Sequence, residues 1–167
     1  MLTEKISWGK QTGHKSSLRT PPELYLCQIQ QTEYTRVRYQ TMNELLRMIA
    51  YSVSEQKIPL VFVIAPSSFQ VYDEHWSYVL KKYGRKSEHY RKSLPNEKLM
   101  QFAQQNSLLM LDLLPILQSE ANKGKQLYNF KEQHWNRAGN RVVAYALLDY
   151  LKSKSLLNLK QLNASDH

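Results

Sequence analysis

The chain has 167 residues, 42% hydrophobic and 22% charged. That is the length and composition of one globular domain with a real core, and it excludes an intrinsically disordered chain. The longest apolar run, residues 60–66, falls far short of the ~18 residues that cross a bilayer, and the opening MLTEKISWGK lacks the apolar centre of a secretory leader. With Met1 as the start the chain reads as cytoplasmic, although an intact longer form could be exported.

The net charge of +9 raises nucleic acid or another anionic surface as a partner. The basic residues are dispersed, however, and only KKYGRKSEHYRKS, residues 81–93, is dense. A solvated loop or a pocket rim accounts for that cluster at least as well. No zinc-finger, RRM or KH signature is present, so no nucleic acid is expected. The single cysteine, Cys27, excludes an internal disulfide and a cysteine metal cluster, and reads as a small hydrophobe. No metal or other cofactor is expected.

Residues 1–33 carry Gly9, Gly13, Pro21 and Pro22 and read as irregular. Over residues 33–57, Met42, Leu45, Leu46, Ile49, Ala50 and Val53 recur at helical spacing and predict a helix with one apolar stripe. The uninterrupted LVFVIA, residues 60–65, lies between Pro59 and Pro66 and predicts a short strand covered on both faces, as inside a parallel sheet. A loop and a short helix follow, stopped by Gly84, then a basic loop over residues 85–95. NEKLMQFAQQNS predicts a helix capped by Asn96, LLML a second strand closed by Asp112, and LPILQSEANKG a helix ended by Gly124. The last helix starts at an Asn136 cap and buries Val142, Val143, Ala146, Leu147, Tyr150 and Leu151. Residues 34–152 thus form the α/β part, and residues 153–167 a polar tail.

This alternation of helices and strands implies an α/β fold with a parallel sheet. Two parallel strands alone would leave long unpaired edges, which folded proteins avoid. Either LYLCQI, residues 24–29, hides a further strand, or the chain is part of a larger domain whose sheet is incomplete here on its N-terminal side. The second reading is favoured.

For chemistry the strongest constellation is Glu132, His134, Trp135 and Asn136. In a bent segment a carboxylate at i can reach back to the imidazole at i+2, fix its tautomer and leave the other nitrogen to take a hydroxyl proton. Two residues in a polar loop are also an ordinary surface feature, and spacing alone leaves both readings open. Ser67 and Ser68 follow the first strand at its carboxyl end, where α/β folds place ligands, and read as pocket rim or turn. Asp112 reads as a strand-end or helix-cap residue, Trp135 as a packing anchor, and His75 and His89 as solvated. Asp73, Glu74 and His75 are consecutive and cannot readily converge on one ion.

FKEQHWNRAGNRVVAYALLDYL, residues 130–151, resembles the C-terminal block of the SGNH (GDSL-like) hydrolase superfamily, where an acidic residue, a histidine, Trp-Asn and a glycine introduce the last helix. The likeness points to bacterial SGNH hydrolases and alginate-acetylation-type O-acetyltransferases carrying Asp-x-His-Trp. IPLVFVIAPSSFQVY and LLMLDLLPIL resemble strand-and-loop segments that precede that block in the family, in the same order.

The resemblance implies a three-layer α/β/α sandwich with a central parallel sheet, flavodoxin-like in arrangement. It also implies attack by a serine on a small ester or O-acylated carbohydrate through an acyl-enzyme. His134 matches the family's general base and Glu132 its acidic partner. Glu132 departs from the usual Asp by one methylene, and Lys131 stands where some members carry the acid. No Gly-Asp-Ser and no Gly-x-Asn-Asp block occurs in the sequence. The expectation is a chain that is silent alone, its nucleophile supplied by a separate N-terminal half. The rival expectation is a non-catalytic α/β module that holds an anionic polymer on its basic loop.

Overall fold

The computed structural model describes residues 22–129 and 133–157. Strands β1 (Val61–Ile64) and β2 (Leu109–Asp112) pair in parallel, from Val61 opposite Leu109 to Ile64 opposite Asp112. Side chains alternate across a strand, so this register sends Phe62, Ile64 and Met110 to one face and Val63 and Leu111 to the other.

The first face is covered by Leu46 of helix α2 (Glu33–Ser54) and by Phe102 and Ala103 of α5 (Leu94–Gln105). On the second face Leu111 joins Leu114 and Leu117 of α6 (Leu114–Asn122) and Val142, Val143 and Ala146 of α7 (Arg137–Ser153). Helices therefore lie on both faces of a parallel sheet, which is the expected α/β/α layering. Five of the six apolar residues predicted on the last helix, all but Leu151, pack against this second cluster.

Three expectations are corrected. The first strand was expected to be covered on both faces, yet Val63 is 42% exposed, because α7 lies over Leu111 and does not extend over its β1 neighbour. The single stripe expected on the long helix divides. Leu46 is buried and Ala50 and Val53 half-buried, but Met42, Leu45 and Ile49 are exposed. At 3.6 residues per turn these buried and exposed sets of α2 are centred roughly 75° apart, and only one of them meets the sheet. Finally, the predicted Asn96 cap lies inside α5, which starts two residues earlier with Pro95 in its first turn, where a missing N–H costs nothing.

The candidate strand at residues 24–29 is no sheet strand: α1 (Pro22–Leu26) is helical, and Gln28 makes one antiparallel bridge to Tyr90. Among the described residues the parallel sheet has two strands.

Local signals explain the other boundaries. Thr32 and Thr35 form a reciprocal capping box at the start of α2, with Thr32 N–H donating to Thr35 Oγ1 at 2.9 Å and Thr35 N–H to Thr32 Oγ1 at 3.3 Å. After β1 the chain makes α3 (Ser68–Val71) and α4 (Asp73–Lys82). Gly84 and Gly124 take positive φ just past α4 and α6, the left-handed turn that glycine permits at a helix end. No described helix is long and apolar enough to cross a membrane.

Candidate functional site

The residues ahead of α7 fold back as a two-residue hairpin, β3 (Tyr128–Asn129) and β4 (His134–Trp135), with Tyr128 opposite Trp135 and Asn129 opposite His134. Tyr128 anchors it. Its ring is buried, and its hydroxyl donates to the Pro66 carbonyl at 2.7 Å, just beyond the carboxyl end of β1. Burial pushes the phenol up to about 12, against the opposing effect of a hydrogen bond from the Trp135 side chain. Leu127 is held from both sides: its N–H donates to Tyr72 Oη at 2.7 Å and its carbonyl accepts Asn136 N–H at 2.9 Å.

Asn136 closes the join to α7. Its Oδ1 accepts the Gly139 N–H at 3.0 Å, the expected N-cap, while its Nδ2 donates to the Gln126 carbonyl at 2.8 Å. Gly139 is required by packing, because a Cβ there would overlap the Leu127 carbonyl oxygen and approach Trp135 Cβ to 3.1 Å. The glycine of the Trp-Asn-x-x-Gly pattern thus lets the first turn of α7 rest on the segment that leads into the hairpin.

Beneath the carboxyl ends of β1 and β2 runs a chain of buried polar groups. Gln70 Oε1 accepts Ser67 N–H at 2.9 Å, and its Nε2 donates to the Lys92 carbonyl at 2.7 Å and to Asn96 Oδ1 at 2.9 Å. Asn96 Nδ2 donates in turn to Asp112 Oδ1 at 2.6 Å, and the same oxygen accepts Leu114 N–H at 2.9 Å. Gln70 and Asn96 are buried, so pairing replaces the water that they lose. The chain locks together the turn after β1, the start of α5 and the end of β2, which is the edge where open parallel sheets bind ligands.

Of the predicted site residues, His134 is exposed on β4, in the hairpin that Tyr128 ties to Pro66, and Glu132 lies outside the described residues. Among the described residues no hydrogen bond joins His134 to a serine hydroxyl. Asp112 ends its strand and caps the start of α6, as predicted, and also carries the buried polar chain. Trp135 packs against the second-face cluster as an anchor. Ser67 and Ser68 form the turn into α3, Ser68 buried. His75, in a polar stretch that predicts a solvated ring, is instead buried, its ring centroid 5.0 Å from that of Tyr72, because α4 turns it inward. His89 is exposed, as predicted. Cys27 is fully buried, and burial pushes its thiol up to about 12, so it is not a nucleophile.

Sequence reasoning did not single out Tyr128, Gln70 or Asn96 as supports of this edge. Tyr128 and Gln70 sit in stretches already read as loop, and nothing local marks a tyrosine or glutamine whose partners lie 62 and 26 residues away.

Helices on both faces of a parallel sheet make this an α/β domain, with a histidine-bearing hairpin tied by Tyr128 to the segment just after β1. A family model described as the SGNH hydrolase-like domain of the acetyltransferase AlgX matches residues 24–166. The chain belongs to that family. No curated protein and no solved structure matches it.

Proposed function

We propose that the chain is part of an SGNH-type serine ester hydrolase or O-acyltransferase, in which His134 is the general base, Glu132 orients it, and the serine comes from a polypeptide segment other than this one. The observation that supports this most is the placement of His134. It stands exposed on a hairpin that is tied, through Tyr128 and Pro66, to the carboxyl end of a parallel strand in a chain of this family.

In that reading the imidazole takes the serine proton as the hydroxyl oxygen attacks the ester carbonyl, and returns it to the departing alcohol. Water or a second hydroxyl then removes the acyl group from the serine. The Glu132 carboxylate would hold the ring in the tautomer that accepts the proton and steady the imidazolium formed meanwhile. A small ester or an O-acylated carbohydrate is the substrate class.

Alone, the purified chain is expected to be silent toward p-nitrophenyl acetate. Hydrolysis that is lost in His134→Ala would defeat the claim of silence and place a working serine within this chain. Activity that appears on adding a Gly-Asp-Ser-bearing polypeptide, and disappears in His134→Ala and in Glu132→Gln, is the positive outcome.

The rival reading is a polymer-binding module whose basic loop is already paired in part. Lys92 pairs with Asp73, Arg91 with Glu97 at 2.8 Å, and Lys86 lies 3.9 Å from Glu88. Those charges are partly neutralised in place. Salt-dependent binding of an anionic polysaccharide, unchanged in His134→Ala, would revive that module.

A further inference from the structure

The exposed apolar arc of α2 has no role in the site just described. Tyr34, Val37, Met42, Leu45, Met48 and Ile49 are each 45–65% exposed, along a helix whose opposite arc carries Arg36, Gln40, Glu44 and Arg47. A surface helix ordinarily buries one stripe and leaves the rest polar; a helix apolar over two of its three sides is one that is covered twice.

The arc is not uniform along its length. Its N-terminal half borders a concave apolar groove closed by Leu26, Pro95 and Leu99. Its C-terminal half is a ridge, with Met48 65% exposed. A two-fold axis across the helix near Thr41 would lay the ridge of one copy in the groove of the other, and the reverse contact would follow by symmetry.

Residues 33–54 hold Glu33, Glu44, Arg36, Arg38 and Arg47, a balance of +1 within a chain of +9, so copies meet along α2 with little repulsion. Arg38 does not interrupt the arc, since its guanidinium lies over the Tyr34 ring, 4.1 Å from the centroid. A stable interface covers roughly 800 Å² on each partner. Six large apolar side chains about half exposed, together with the groove wall, supply area of that order.

We infer that the exposed apolar face of α2 is the interface of a homodimer, in which two copies of this chain pack their α2 helices antiparallel about a two-fold axis near Thr41. This inference is independent of the reading of His134, and its test needs no catalysis.

The full chain at about 100 µM, a concentration that populates any dimer of micromolar affinity, is examined by light scattering after gel filtration. The expected mass is twice 19.7 kDa. Leu45→Glu places a charge in the middle of the arc at an exposed position, so it should restore the monomer mass while leaving the circular dichroism spectrum and the thermal midpoint of the fold in place. Val63→Glu, on the sheet, should leave the dimer intact.

Thr41→Cys, next to the axis, should form an intermolecular disulfide under mild oxidation at least ten times faster than Gln40→Cys, at the same height on the polar side. Cys27 is fully buried and does not compete. A monomer at this concentration overturns the inference. A dimer that persists in Leu45→Glu, polydisperse aggregates, or equal crosslinking of the two cysteine variants overturns it as well.

Discussion

Gly139 leaves no room for a side chain against Leu127: the carbonyl oxygen of Leu127 occupies the space that a Cβ on residue 139 would need. That carbonyl also accepts the Asn136 N–H, so the contact seats the last helix on the segment leading into the histidine hairpin. Gly139→Ala is therefore expected to destabilise the fold by roughly 3 kcal/mol, the scale of backbone clashes in packed regions. Urea unfolding followed by circular dichroism measures it, and a loss below ~1 kcal/mol would show that the helix shifts freely off that segment.

Asn96 and Asp112 act as one unit. Removing the Asp112 carboxylate leaves two donors, Asn96 Nδ2 and Leu114 N–H, without their acceptor. Asp112→Ala and Asn96→Ala are each expected to cost about 2 kcal/mol, with a coupling of about 1 kcal/mol in the double-mutant cycle. Additive losses would mean that the buried chain is a set of separate contacts.

Tyr128→Phe deletes one hydroxyl and keeps the ring in the core. The bond to Pro66 should be worth about 1 kcal/mol. Because the Trp135 side chain hydrogen-bonds the same phenol, the tryptophan emission spectrum should also change. An unaltered spectrum together with unaltered stability would detach the hairpin from β1.

His75 sets a pH dependence. Burial holds its imidazole below the ordinary histidine value, with Glu74 opposing in part. The unfolded chain therefore takes up this proton at higher pH than the folded one. The contribution of His75 to stability is complete above about pH 6.5, the free-imidazole value, and is lost as pH falls through the lower folded value. His75→Gln should flatten the decline in thermal midpoint between about pH 7 and pH 5 relative to the parent chain. Equal slopes for the two proteins would rule out His75 as the group responsible.

The sequence by itself determined the alternation of helices and strands, because apolar periodicity, glycine stops and proline boundaries are local. LVFVIA bounded by two prolines has one economical conformation, and Asn136 three residues ahead of Gly139 marks a helix start before any tertiary contact exists. The family was legible for the same reason: Glu132, His134, Trp135, Asn136 and Gly139 lie within eight consecutive residues.

Only the tertiary structure decided which apolar surface is covered. Leu45 and Leu46 are adjacent and identical in type, yet one is 48% exposed and the other 9%, because the sheet lies on one side of α2 alone. Likewise Val63 and Leu111 share a sheet face and differ in burial through the position of α7, which no stretch of either strand encodes. The polar chain from Gln70 through Asn96 to Asp112 joins groups 26 and 16 residues apart. Hydrogen bonds and burial depend on distance in space, and periodicity in one dimension carries only the contacts that a single element makes with itself.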